Sequence, residues 1–348
     1  MIFYDFEVFK EDWLAVFIDV TKKKEYVIIN NPDELKALYE ANSKDIWVGY
    51  NNRHYDQYIM KGILLGMNPK RINDWIIVEK KEGWQFSSAF NKVPMINYDV
   101  MPNPSVGLKT LEGFLGSNIK ETDVDFRINR KLTKEEIEMT VFYCRHDVEE
   151  TIKVFLEKID EFNAMHGIIQ AFPDIVNLSD IGDSEARITA KVLGCSRRSF
   201  EDEFDFYFLP CLQLKKYKYV QDWFEQKRQE ALSMDLAHMD KYSKRTWYKE
   251  QGLETVVAGI PHSFGFGGVH GATATPIHKT GQLLHVDVNN YYPSMLIAWG
   301  LVTRAATNDN YPLVYNTRKA MKEKQIAAKN AGNKKEVKRW KKAQLPYK

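Results

Sequence analysis

The sequence predicts an α/β fold over residues 1–165, followed by a mixed middle and a basic helical tail. Three features point there. β-prone runs alternate with helical segments along the first part of the chain. A capping box, Thr133-Lys134-Glu135-Glu136, opens a long amphipathic helix that runs to about Met165. No internal repeat or low-complexity linker interrupts the series before the Lys/Ala-rich end.

In chain order, Ile2 to Phe9 reads as a strand, continued by Trp13 to Val20 and Lys24 to Ile29 through a turn at Thr21-Lys22-Lys23. Pro32-Asp33-Glu34 starts a helix to about Asn42, because the fixed φ of proline suits a first helical turn. Ile46 to Tyr50 is a short buried strand ending in the turn-prone Asn51-Asn52, and a helix carries Tyr55 to Leu65. Between Gly167 and Gly259, helical patterns stand out at Ser184 to Leu193 and Tyr219 to Ala237. After Pro261, the cluster Phe264-Gly265-Phe266-Gly267-Gly268 calls for positive φ or a close backbone approach. Gln282 to Val288 is strongly β-prone. The tail from Thr317 is helical and broken at Gly332-Asn333, which suggests two antiparallel helices.

Composition narrows the classes. With 348 residues, 44% hydrophobic and 28% charged, the chain has the balance of a folded globular protein and room for two or three domains. No apolar run approaches the ~20 residues of a bilayer span. The first residues, Met-Ile-Phe-Tyr-Asp-Phe-Glu, carry acids and no basic leader, unlike a signal peptide. Cys144, Cys195 and Cys211 form neither a disulfide framework nor a zinc spacing, which suits a reducing, cytoplasmic setting. The net charge of +2 hides an asymmetry: from Gly300 to Lys348 there are 13 Lys/Arg against three acids, so that segment is +10 and the remainder −8. Such a segment is either a solvated helix face or a phosphate-binding surface.

Three groups of acids and polar residues draw notice. Asp5 and Glu7 lie two apart on a strand and so share a face, where they repel unless cations sit between them. A solvent-facing strand would tolerate the pair equally well. Asn52-Arg53-His54-Tyr55-Asp56 brings an acid to the start of a helix that follows a buried strand. Tyr143 and Asp147 are i and i+4 on the long helix, with Asp147 at the edge of its apolar stripe, where an acid needs a partner such as a metal.

In this order, these elements resemble the three motifs of the 3′–5′ exonuclease domain of family B DNA polymerases, a ribonuclease-H-like fold with four metal-binding carboxylates. The resemblance implies that Asp5, Glu7, Asp56 and Asp147 hold two Mg²⁺ or Mn²⁺ ions. Tyr143 would orient the attacking water, and Asn52 would hold the frayed primer end. Hydrolysis of a phosphodiester by two cations about 3.5–4 Å apart accounts for the residue types, since hard divalent ions prefer carboxylate oxygen. Some relatives use a catalytic lysine near Lys109, but Ser105-Val106-Gly107-Leu108-Lys109 fits that pattern poorly and reads as a surface lysine.

The same family accounts for Asp287-Val288-Asn289-Asn290-Tyr291-Tyr292-Pro293-Ser294, which is similar to polymerase motif A with Asn290 and Tyr291 in place of the usual Ser and Leu. By resemblance, Asp287 would reach the metal that carries the triphosphate. Tyr292 would stack under the sugar and exclude a 2′-hydroxyl. Arg318 and Lys322, i and i+4, match the triphosphate-binding pair of the fingers, and Gln344-Leu345-Pro346-Tyr347-Lys348 matches the beginning of motif B, with Lys348 as its lysine. Gly265-Phe266-Gly267-Gly268-Val269-His270 stands where relatives carry a Tyr-x-Gly-Gly element close to the template strand, although a structural turn would use the same glycines.

The implied organisation is an exonuclease domain at 1–165, a linking region at 166–258, a partial palm with motif A at 259–316 and incomplete fingers at 317–348. The rest of motif B, the acids of motif C and the thumb are not in the sequence, so primer extension is expected only if another chain supplies them. The segment 300–317 is too short for the insertion of protein-primed relatives. The implied partners are DNA primer-template, single-stranded 3′ ends, deoxynucleoside triphosphates and such a second chain. The implied location is a bacterial host's cytoplasm, if the source is a phage. Two other readings stay open: a stand-alone 3′–5′ DNA exonuclease, and a non-catalytic DNA-binding module, which has no need of clustered repulsive acids.

Overall fold

The computed structural model describes residues 1–348 apart from 103, 118–123, 196–203, 205, 277–279, 283, 285, 289, 305, 307–308 and 348. The chain is mixed α/β and divides into two compact units, Met1–Ser196 with Tyr292–Lys348, and Arg197–Tyr291. No helix among the described residues is long and apolar enough to cross a membrane.

The first unit is built on a mixed five-stranded sheet in the order β3-β2-β1-β4-β5. Its strands are β1 (Ile2–Val8), β2 (Trp13–Asp19), β3 (Lys24–Ile29), β4 (Ile46–Gly49) and β5 (Ile96–Asp99). β1 and β2, and β2 and β3, pair antiparallel, whereas β4 is parallel to both β1 and β5, so β2 alone runs against the rest. Helices α1 (Pro32–Ala41), α2 (Asp56–Leu64) and the short α3 (Pro69–Asn73) join the early strands. Then α4 (Leu108–Leu115), α5 (Lys134–Glu157), α6 (Ile159–Ala171) and α7 (Glu185–Val192) follow the sheet.

The side-chain period of two sorts β1 between two cores. Ile2, Tyr4, Phe6 and Val8 bury against Leu35, Ile59, Met60 and Ile63 of α1 and α2. Phe3 turns the other way, to Val148, Phe155 and Phe162 of α5 and α6. The central strand is therefore covered on both faces, and Asp5 and Glu7 look toward the α5 side. The solvent-facing alternative for this acid pair is excluded.

The sequence expects one helix from Thr133 to about Met165. The structure has two. Helix α5 starts at the Thr133/Glu136 capping box, as the sequence indicates, but at Lys158 the backbone leaves the helical region (φ −98, ψ 13). The Lys158 amide still bonds back to Val154 and Leu156, while Asp160 and Glu161 supply the acids that favour a new helix start. The turn directs Phe162 edge-on to Phe155 and Tyr98, so aromatic packing sets its direction.

The basic tail belongs to this same unit. After α10 (Tyr291–Ala298), which begins where the second unit ends, come α11 (Asn310–Asn330) and α12 (Lys334–Ala343). Gly332 takes a positive φ of 68 at the link between them, as the Gly-Asn break in the sequence anticipates. Val314 and Tyr347 pack against the α5–α7 core, and a Cβ at Gly167 of α6 would meet Pro346 at 2.4 Å, so no larger residue fits there. The division at 165 and the separate 317–348 element expected from the sequence are thus not where the compact units part.

The second unit contains α8 (Lys218–Ser233), α9 (Lys241–Glu250) and an antiparallel sheet of β6 (Leu253–Val257), β7 (Ile260–Gly265) and β8 (Gly268–Gly271). Ala258 and Gly259, both at positive φ, form the two-residue β6–β7 turn. In the glycine cluster, Phe266 tips the β7–β8 hairpin onto Trp247 (5.2 Å between rings) and Phe224 (5.7 Å). The strand expected over Gln282–Val288 is not there: 282, 284 and 286–288 have no regular structure, and Leu284 and Val286 are exposed. β-propensity becomes a strand only with a hydrogen-bonding neighbour, and no described strand pairs with these residues.

Candidate carboxylate site

The site lies at the carboxyl half of β1, beyond the end of its parallel partner β4. β4 pairs only with Ile2 and Phe3, so the edge of β1 is open from there on. Such a gap between parallel strands is where open α/β sheets place ligands. Asp56, the first residue of α2, fills part of it: its Oδ1 accepts the Phe6 backbone N–H at 3.1 Å, and its carboxylate sits at a helix N-terminus, which favours negative charge.

Asp5, Glu7 and Cys144 bring one ligand atom each within 4.8 Å of one another. Asp56 and Asp147 stand outside that mutual distance but close enough to act on the pair electrically. Burial pushes the Asp5 carboxyl up to about 7, and the charge of Asp147 adds to this. Glu7 is raised by burial and then by Asp5, Asp147 and Asp56, and Asp56 is raised by burial and then Asp5. Asp147 is also raised by burial, against the pull of Lys109. Four acids from three separate elements thus share one electrostatic neighbourhood.

Lys109 is the cation they share, and the surface reading of this residue is corrected. Its ammonium, on the first turn of α4, donates to Asp147 Oδ1 at 2.5 Å and to Glu112 Oε1 at 3.1 Å, and lies 4.7 Å from the centre of the Tyr143 ring. Burial works against its charge, yet these bonds hold it above the ordinary lysine range. Tyr143 hydrogen-bonds Asp147, as their i, i+4 spacing allows, and burial raises its hydroxyl.

Asn52 is fully buried. Its amide donates to Asn97 Oδ1 at 2.9 Å and to the Tyr98 carbonyl at 3.2 Å, so this side chain ties the loop before α2 to β5. Asp99, missed in the sequence, supports the same loop by accepting the amides of Asn51, Arg53 and Met101. Glu112 and Cys144 were also missed. The Cys144 thiol, raised by burial, donates to Asp5 Oδ2 at 3.4 Å, and the turn from Tyr143 to Asp147 carries the only hint of its place.

The donor set fits a hard divalent cation. The Glu7 carboxylate is nine-tenths buried and is raised by burial and by the charges of Asp5, Asp147 and Asp56, a repulsion that a bound cation would relieve. Carboxylate oxygens suit Mg²⁺ or Mn²⁺, and a protonated thiol is not a ligand for either.

Asp287 is exposed outside any strand, and Tyr292 is largely exposed on α10. Arg318 and Lys322 share a face of α11 and pair with no acid among the described residues. Lys348 lies outside the described residues. Comparison with protein-family models, curated proteins and solved structures returns no match to this chain.

The raised acids make the metal-free chain pH-sensitive. Folded Asp5 keeps a proton up to about pH 7, whereas the unfolded chain releases it in the ordinary carboxylate range. Stability therefore falls as pH rises between those limits and levels off above them, by about 4 kcal/mol. Melting temperatures without metal should drop between about pH 4 and pH 7, and millimolar Mg²⁺ should shrink the drop by binding the ionised acids. A flat metal-free profile would count against a four-acid cluster.

Proposed function

We propose that residues 1–165 act as a metal-dependent 3′–5′ DNA exonuclease of ribonuclease-H-like fold, and that the chain is of the family B DNA polymerase type. The observation that supports this best is the convergence of Asp5, Glu7, Asp56 and Asp147, contributed by β1, α2 and α5, with Lys109 bonded among them. A five-stranded mixed sheet whose central strand carries the acid pair is the kind of scaffold the resemblance implies.

When bound, two Mg²⁺ or Mn²⁺ ions supply an activated water and stabilise the leaving oxygen. Asp5, Glu7, Asp56 and Asp147 would hold them. The Tyr143 hydroxyl, fixed by Asp147, orients the water, and the Lys109 ammonium offsets charge at the phosphate. Asn52 acts on the primer end through the loop it anchors. For synthesis, Asp287 would hold the metal of the triphosphate, Tyr292 would be the sugar gate, and Arg318, Lys322 and Lys348 the phosphate contacts. A stand-alone 3′–5′ exonuclease is the second reading, favoured by the packing of Val314 and Tyr347 into the core of the sheet-bearing unit.

The test is degradation of a 3′-labelled single-stranded oligonucleotide in Mg²⁺ by the full chain and by Asp147→Ala. Stepwise release from the 3′ end, lost in the variant, is expected. No cleavage in Mg²⁺ or Mn²⁺ by a sample that circular dichroism shows to be folded would overturn the nuclease.

A further inference from the structure

Glu112 has no exposed surface, and Lys109 Nζ is its one hydrogen-bond partner among the described residues, at 3.1 Å on Oε1. Its other oxygen, Oε2, is sealed from solvent without a hydrogen bond. That oxygen faces His146 Nε2 at 3.7 Å, too long for a hydrogen bond, and the His146 nitrogen is likewise sealed and unsatisfied. A carboxylate this deeply buried is costly unless it is paired, so its place on α4 is explained by what it holds. What it holds is an ammonium whose other contact, at 2.5 Å, is Asp147.

We propose that Glu112 is a positioning residue for the carboxylate site. It fixes the Lys109 ammonium between Asp147 and the Tyr143 ring, and His146 backs it from the next helix. The proposal rests on the nuclease reading for its kinetic consequence and on the geometry alone for the pairing. A lysine is otherwise a point charge on a flexible stem. Anchored from behind by Glu112, it stays at the edge of the site when Asp147 turns to a cation, and meets the phosphate already oriented. Loss of Glu112 therefore lowers kcat and spares binding of the oligonucleotide.

Two measurements on the full chain test this. The first is a melting cycle without metal or DNA. Lys109→Met leaves Glu112 buried and unpaired and should lower the melting temperature by about 5 °C. Adding Glu112→Gln in the same chain should recover at least half of that loss, because the stranded charge is gone. Purely additive losses overturn the pairing, whether or not the chain cleaves DNA. The second is nuclease kinetics. Glu112→Gln should lower kcat about tenfold with KM nearly unchanged, and the double variant should be no slower than Lys109→Met alone. An unchanged kcat in a folded Glu112→Gln chain overturns the positioning role. Absence of cleavage by the wild type tells against the nuclease reading, and the melting cycle then decides the pairing by itself.

Discussion

Exchanging Asp5 for asparagine should silence 3′-end hydrolysis while raising the melting temperature of the metal-free protein. The two effects have one cause. Asp5 sits at the centre of β1, half-buried beside Glu7 and within the field of Asp147, and its carboxyl is pushed up to about 7 by desolvation and by that charge. Without a cation and above about pH 7 it is a like charge in the wrong place, and asparagine removes the charge while keeping an oxygen for the Cys144 thiol, now 3.4 Å from Oδ2. A gain of a few degrees is expected, since one kilocalorie per mole shifts a domain of this size by about 2–4 °C. With a cation the same carboxylate becomes a ligand that an amide cannot replace. Loss of a ligand at a two-metal site should cost at least about a thousandfold in rate, or roughly 4 kcal/mol of transition-state stabilisation. Melting scans and oligonucleotide degradation on the same preparation read both signs. A variant that is both less stable and inactive would make Asp5 a structural residue. One that keeps its activity would remove it from the site.

Much of this arrangement was legible in the sequence, because it depends on local spacing. The period of two along β1 puts Asp5 and Glu7 on one face, and the i, i+4 spacing pairs Tyr143 with Asp147. The capping box at Thr133 marks the start of α5 to the residue. Long-range features were not legible. Nothing in the β1 sequence reports that α5 covers its acidic face, since that cover arrives about 130 residues later in the chain. Lys109 follows an irregular stretch with no periodic signal, and only the folded α4–α5 contact brings it to Asp147. Asp99 ends a four-residue strand too short to stand out by pattern, yet it holds the loop before α2. The β-prone run at Gln282–Val288 shows the opposite failure, a strong local preference with no described strand to pair with.

The largest stability effect is expected at Trp47, in the core that α1 and α2 cover. Trp47 has no exposed surface and meets Tyr4 and Phe17 edge-on, with ring centres 5.9 and 6.1 Å away. Trp47→Ala removes the indole from this cluster and leaves a cavity that strand backbones cannot collapse to fill, at a cost of about 4 kcal/mol. For a unit of this size the melting temperature should fall by about 10 °C. Trp47→Phe is a separate matter, because the indole N–H is sealed without a hydrogen-bond partner and its removal offsets part of the lost volume. The phenylalanine variant should therefore keep most of the wild-type stability. The pair also tests how the scaffold serves the site. β4 registers against Ile2 and Phe3 and then runs into the loop that carries Asn52 and leads to Asp56 at the start of α2. If that register places Asp56 on the edge of β1, Trp47→Ala should lose nuclease activity well below its own melting temperature, whereas Trp47→Phe should not. Equal melting temperatures for the two variants would show that the aromatic cluster, and not indole volume, is replaceable at this position.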